Sequence, residues 1–188
     1  MKQNWKPGTM IYPLPAVLVS CGNTPDKYNL ITISWTGTIC TDPAMCYISV
    51  RPERHSYPII KEEMEFTINL TTSRMARATD WCGVRSGRDY DKWKETGLTP
   101  VPGIKVGCPY IAESPISIEC RVKEILHLGS HDMFVADVLN VIADDEFIDP
   151  STGAFDMEKA ELISYIHGGY FADGKKLGTF GWTVRKKK

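Results

Sequence analysis

The sequence predicts a mainly β fold, a closed antiparallel barrel with short peripheral helices. Three observations predict it. Runs of strand length, rich in β-branched and apolar residues, dominate the chain. Most are joined by short turns, and no regular β-α-β alternation appears that would build a doubly wound sheet. No low-complexity linker, repeat or composition break divides the chain, so residues 1–188 read as one domain.

Residues 15–21 (PAVLVSC) read as a strand that ends at the Gly22–Asp26 turn. Leu30–Cys40 is a second strand, and Met45–Val50, after the Asp42-Pro43 turn, a third. Arg54–Met64 has helical character, but Pro58 is tolerable only in a first turn, so the helix should begin at about Ser56. Glu65–Leu70 alternates as a strand does. Ser73 is placed to cap a short helix reaching about Trp81. Asp89–Thr96 predicts another short helix, stopped by Gly97. A Pro- and Gly-bearing loop covers Thr99–Pro109. Ile116, Ile118, Cys120 and Val122 alternate with smaller or polar residues, and Met133–Ala143 follows the turn-like His127–His131, which together predict a long hairpin. Phe155–Ile163 suggests a late helix.

Composition narrows the function classes. The 188 residues are 43% hydrophobic and 24% charged, with 22 basic against 23 acidic residues. A near-neutral balance does not call for nucleic acid as a partner. The basic run Arg185–Lys188 reads as a solvated tail. No apolar run has the length of a membrane span, and MKQNWKPGTM lacks the apolar region of a signal peptide. The six cysteines include no pair spaced as Cys-x-x-Cys. Free thiols in a reducing cytoplasm are the expectation.

Three segments carry candidate chemistry. Ser34-Trp35-Thr36-Gly37 offers hydroxyls, an aromatic surface and a glycine that lets a ligand near the backbone; read alone, it is equally a strand with one buried Trp. Arg51-Pro52-Glu53-Arg54-His55-Ser56-Tyr57 sets two guanidinium groups and hydroxyls at an expected helix start, neighbours that suit a phosphate monoester. The alternative is a solvated turn with its arginines paired to Glu53 or Glu62. Cys82–Trp93 gathers Gly, Ser, Arg and Lys in a stretch too polar for core, either a loop that closes on an anion or an ordinary surface loop.

Other patterns carry no function. Gly169–Lys176 nearly spells a phosphate-binding P-loop, but Lys176 stands where a hydroxyl is needed. His127 and His131 are four apart, yet Leu128-Gly129-Ser130 is turn-like and no third zinc ligand is evident. No G-x-G-x-x-G follows a strand, so a Rossmann dinucleotide fold is not signalled.

Taken in order, NLITISWTG (29–37), DPAMCYISVRPERHSY (42–57), EFTINL (65–70), CGVRSGRDYDKW (82–93), GLTP (97–100), SPISIEC (114–120), LGSHDMFVADV (128–138) and LGTFGW (177–182) resemble the flavin-reductase-like family with the FMN-binding split-barrel fold, particularly its flavoredoxin branch. The resemblance implies a six-stranded, homodimeric split barrel holding FMN non-covalently near the subunit interface. By position it implies that Ser34, Trp35, Thr36 and Gly37 border the flavin ring, largely through backbone. Arg51, Arg54, Ser56 and Tyr57 would lie near the phosphate, and Asn69 would touch the ribityl chain or ring edge. Ser86, Gly87 and Lys92 would come from a loop that closes on the cofactor. His131 and the pair Tyr170-Phe171 would reach the exposed face of the flavin. His55 departs from the aromatic residue expected in its slot.

The function implied is an FMN-dependent oxidoreductase of the flavin reductase type, taking electrons from NAD(P)H and passing them to free flavin or a redox protein. The chemistry would sit on FMN, with no metal and no obligatory catalytic side chain; His131 is the one candidate. One alternative is a flavoredoxin-type electron carrier without pyridine-nucleotide activity. Another, from a different class, is a non-redox small barrel binding a ligand or nucleic acid.

Overall fold

The computed structural model describes residues 1–172 and 174–184. The basic run 185–188 lies outside the described residues. The strands are β1 (Leu14–Pro15), β2 (Val17–Cys21), β3 (Asn29–Ile33), β4 (Thr36–Cys40), β5 (Met45–Val50), β6 (Glu65–Leu70), β7 (Pro100–Val101), β8 (Tyr110–Ile111), β9 (Ile116–His127), β10 (Asp132–Ala143), β11 (Ile163–Ile166) and β12 (Gly169–Ala172). The α-helices are α1 (Ser56–Glu63), α2 (Ala76–Val84) and α3 (Lys92–Thr96).

Seven strands form one antiparallel sheet in the order β3-β2-β6-β9-β10-β5-β4. Its two edges, β3 and β4, are consecutive in the chain and separated only by Ser34-Trp35. The sheet therefore curls back on itself, giving the split-barrel architecture. The seventh strand arises because Leu30–Cys40, expected as one strand, is broken at that corner. β3 hydrogen-bonds to β2 whereas β4 hydrogen-bonds to β5. A β-branched run signals extended backbone but not where it changes partner.

The barrel interior holds Val17 and Val19 of β2, Ile48 of β5, Phe66 of β6, Cys120 of β9 and Phe134 of β10, with Tyr57 and Ile60 of α1 closing one end. Phe66 and Phe134 are fully buried, each contributing about 2–3 kcal/mol through apolar burial. Outside the barrel, Leu18 and Leu30 pack with Met75, Cys82, Trp93, Leu98 and Ile111. β2 is thus covered on both faces, which explains why its sequence is continuous rather than alternating.

α1 starts at Ser56, as Pro58 requires, and ends at Met64 in the left-handed conformation. Asp91 caps α3 by accepting from Trp93 N and Lys94 N, and Gly97 stops it at φ 71°. Ser73 is no cap. It opens a single 3₁₀ turn ahead of α2, and its hydroxyl faces the Glu161 carbonyl. The β9–β10 hairpin forms with two register shifts. The helix expected over Phe155–Ile163 is absent. Asp156 Oδ1 accepts from Glu158 N and Lys159 N as a helix cap would, but Glu161 enters left-handed backbone at φ 50° and Ile163 begins β11. β1, β11 and β12 make a small second sheet. No helix among the described residues is long and apolar enough to cross a membrane.

Candidate functional site

The β3–β4 corner is where the barrel opens. Trp35 is 39% exposed there, so part of its indole faces the cleft rather than the core. Its carbonyl accepts from Ser49 N at 2.9 Å, which ties the corner to β5. Ser34, Trp35, Thr32, Arg51, Arg54, His131 and Tyr165 line a cleft of about 200 Å³. His131, in the β9–β10 turn, stands edge-on to Trp35 with ring centroids 4.4 Å apart.

The cationic side of the cleft follows from where β5 ends. After Val50 the chain makes a turn, with Arg54 N donating to Arg51 O at 3.0 Å, and enters α1. No side chain caps the start of α1 and its first turn has no acidic residue. Its leading amides and positive dipole end are therefore not engaged by a protein carboxylate. Arg51 pairs with Glu53 at 2.7 Å in an exposed contact of little energetic weight. Arg54 Nη1 donates to Gly83 O at 3.2 Å, and Lys92 Nζ donates to Cys82 O at 2.7 Å. Two cations thus sit on the last carbonyls of α2.

Lys92 is buried, and burial holds its ammonium down to about 8, with Arg54 adding repulsion. His55 is lowered by burial, then by Arg88 and Lys92. His131 is lowered by burial, then by Arg51. Three basic groups are depressed by desolvation and then by nearby cations, so the region has an excess of positive potential that an anion would relieve.

The Ser86-Gly87 loop presses on the same place. Ser86 Oγ accepts from Arg88 N at 3.1 Å. A Cβ on Gly87 would fall 2.1 Å from Asn29 Oδ1 and 2.9 Å from His55 Cδ2. Asn29 Nδ2 in turn donates to Ser56 Oγ at 2.7 Å. Gly87, His55 and Lys92 line a larger adjoining groove of about 980 Å³. A third groove, of about 1000 Å³, lies beside Arg74, Arg77 and Glu161; its charges are of both signs.

Not every expected residue joins this constellation. Ser34, Trp35, Arg51, Arg54 and His131 meet at the cleft. Gly87 and Lys92 line the larger groove instead, Ser56 is buried behind Asn29, and Ser86 lines neither; Arg54 and Lys92, on the adjacent carbonyls of Gly83 and Cys82, link the two places. Thr36 is buried, its hydroxyl donating to Tyr47 O at 2.5 Å, and Gly37 faces the Tyr47 ring; both hold the corner rather than line the cleft. Tyr57 turns into the barrel, where its hydroxyl donates to Asp132. Asn69 is fully buried and fully engaged, donating to Leu18 O and Ser20 Oγ and accepting from Ile111 N and Ser117 Oγ. Tyr170 packs on Tyr165 at 5.8 Å, and burial followed by Asp80 pushes its hydroxyl up to about 12; Phe171 is half exposed. Of the small sheet, Tyr165 lines the cleft, which no local pattern in the sequence signalled. Asn29 was also missed. Its polar side chain at the head of an apolar strand was the available signal.

The family model described as "Flavin reductase like domain" matches residues 9–172. Among solved structures, flavoredoxin of Desulfovibrio vulgaris (Miyazaki F) has a TM-score of 0.90 at 29% identity, covering 98% of this chain and 100% of that one. An uncharacterized protein of Pyrococcus abyssi is 33% identical over 130 residues, 69% of this chain and 74% of its own length. An NADPH-flavin oxidoreductase of Streptomyces viridifaciens is 28% identical over 116 residues, 58% of this chain and 56% of its own. The family match runs unbroken through the barrel, the corner and the small sheet, and on that ground the chain belongs to the flavin reductase like domain family.

Proposed function

We propose that this chain binds FMN non-covalently and acts as an NAD(P)H-dependent flavin oxidoreductase, passing electrons to free flavin or a redox protein. The observation that carries the reading is Arg51 and Arg54 in the cleft beside the Trp35 corner, at the uncapped start of α1, with Lys92 held on the carbonyl adjacent to the one Arg54 binds. A phosphate monoester bears about −1.5 to −2 charge and fits that donor set better than a bridging diphosphate would. Bound FMN supplies the hydride and electron chemistry. Arg51, Arg54, Lys92 and the Ser56 end of α1 hold its phosphate. Ser34 and Trp35 border the ring, and His131 shields it from water.

A cleft of about 200 Å³ in one chain is smaller than typical cofactor sites of roughly 300–1,000 Å³. That size supports a homodimer in which a second copy supplies the facing wall. The second reading is a flavoredoxin-type electron carrier without pyridine-nucleotide activity. The whole-length likeness to a flavoredoxin favours it.

The test begins with purified protein and added FMN. Yellow material that bleaches with anaerobic dithionite, and oxidises NADH or NADPH in the presence of free flavin, supports the reductase. Full flavin occupancy with oxidation of neither nucleotide leaves the carrier. Protein that takes up no FMN removes both. Replacing Arg51 and Arg54 by Ala should weaken FMN while leaving riboflavin little changed; equal loss of both would move those arginines away from the phosphate.

A further inference from the structure

Asp132 occupies a singular place relative to the site. It is the first residue of β10 and pairs with the last residues of both neighbours, Val50 of β5 and His127 of β9. Arg51 follows the first of these, and His131 precedes Asp132 itself. Its carboxylate is buried, with 6% of the side chain exposed. Oδ2 accepts from Tyr57 Oη at 2.5 Å and lies 2.8 Å from His127 Nδ1. Tyr57 is the second residue of α1 and follows Ser56; its own amide donates to Arg54 O at 2.9 Å. The Tyr57 ring is wedged edge-on against Phe134 at 5.5 Å, with Lys61 Nζ 5.6 Å from its centroid.

We infer that Asp132 and Tyr57 are positioning residues, one bond that fixes the cationic start of α1 against the turn carrying His131. The inference rests on the flavin-site reading for its consequence, though not for its geometry. The two walls come from segments 75 residues apart in sequence. The β5–β10 ladder ends at Val50–Asp132, and beyond it the Tyr57–Asp132 bond is the side-chain tie between the start of α1 and that turn. A buried, charge-assisted hydrogen bond is short and directional, and so sets spacing as well as adhesion. Neither group touches the cleft: Tyr57 and Asp132 face the barrel core, so they act through Ser56, Arg54 and His131.

Tyr57→Phe removes one oxygen atom and keeps the ring packed. Ile60→Val is the control, a core truncation one turn further along α1. In protein without flavin, the His131 ring-proton resonances report its place over Trp35. They should move in Tyr57→Phe and stay in Ile60→Val. FMN affinity should then fall severalfold in Tyr57→Phe only, less than the roughly tenfold or more that losing a charged hydrogen bond to the ligand itself would cost. Unmoved His131 signals in Tyr57→Phe, or equal movement in both variants, overturn the positioning role. So does an unchanged FMN affinity where the wild type binds FMN. If the wild type takes up no FMN yet His131 moves in Tyr57→Phe alone, the flavin reading fails and the positioning stands.

Discussion

His131 lies edge-on to Trp35, ring centroids 4.4 Å apart at 71°, and the two rings share one wall of the cleft. Burial, then Arg51, keeps the His131 imidazole below its ordinary value. The folded state therefore binds this proton less readily than the unfolded chain. Its contribution to stability is intact above the unfolded value of about 6.5 and is lost as pH falls through the lowered one. An NMR titration should place His131 below an exposed histidine, and Arg51→Ala should raise it. A His131 that titrates normally in both proteins would remove the electrostatic link between turn and arginine.

Lys92 acts with the same sign in an alkaline window. Its ammonium falls from 10.5 to about 8 on burial. Between those values the unfolded chain holds a proton that the folded one has released, so stability rises with pH across pH 8–10.5. Relative to Lys92→Met, the gain should be roughly 2–2.5 kcal/mol between pH 7.5 and 10, read by urea unfolding. A bound anion raises Lys92 again. FMN affinity should therefore weaken by up to about tenfold from pH 7 to 9 in the wild type, and not in Lys92→Met.

How much of this was legible in sequence depends on range. The strand at Met45–Val50, the start of α1 at Pro58's demand, and the Gly97 stop follow from local sterics, and they appear where expected. Ser34, Trp35, Arg51 and Arg54 lie within one short stretch, so their convergence needed only one corner and one turn. Tyr57 ends the same stretch and Asn69 lies in the separate EFTINL strand, but both face away from the cleft. Which side faces a ligand is decided by sheet curl and by partners such as Asp132 and Ile111, far away in sequence. Tyr165 comes from a separate sheet, and no spacing rule reaches it.

Asn69 should behave as a structural residue. Its amide meets Leu18 O, Ser20 Oγ, Ile111 N and Ser117 Oγ in a site without solvent. Asn69→Ala leaves those groups facing a cavity and should cost about 2–4 kcal/mol in urea unfolding. FMN affinity of the folded protein should not change. A large loss of affinity with unaltered stability would return Asn69 to the cofactor.

Two glycines separate backbone strain from site crowding. Gly97 has φ 71° with open space around its missing Cβ, so Gly97→Ala should cost about 1 kcal/mol of stability and no affinity. In Gly87→Ala the new methyl meets Asn29 and His55, and Asn29 is tied to Ser56. The loop must back away, so FMN affinity should fall severalfold while the melting temperature changes little. Calorimetry and flavin-fluorescence quenching on both variants check the contrast.

The buried thiols of Cys46 and Cys120 approach to 3.4 Å, close enough to invite a disulfide. The strands argue against one. Cys46 is on β5 and Cys120 on β9, with β10 between them, Cys46 opposite Ala136 and Cys120 opposite Val138. Strands two places apart are separated by about 9–10 Å, whereas a disulfide needs Cα atoms within about 7 Å. Closing it would require the barrel wall to buckle. Diamide treatment of the native protein followed by thiol counting under denaturing conditions should therefore leave Cys46 and Cys120 as free thiols. Mass spectrometry locating a Cys46–Cys120 bridge in folded, flavin-binding protein would show that the wall yields far more easily than its packing implies.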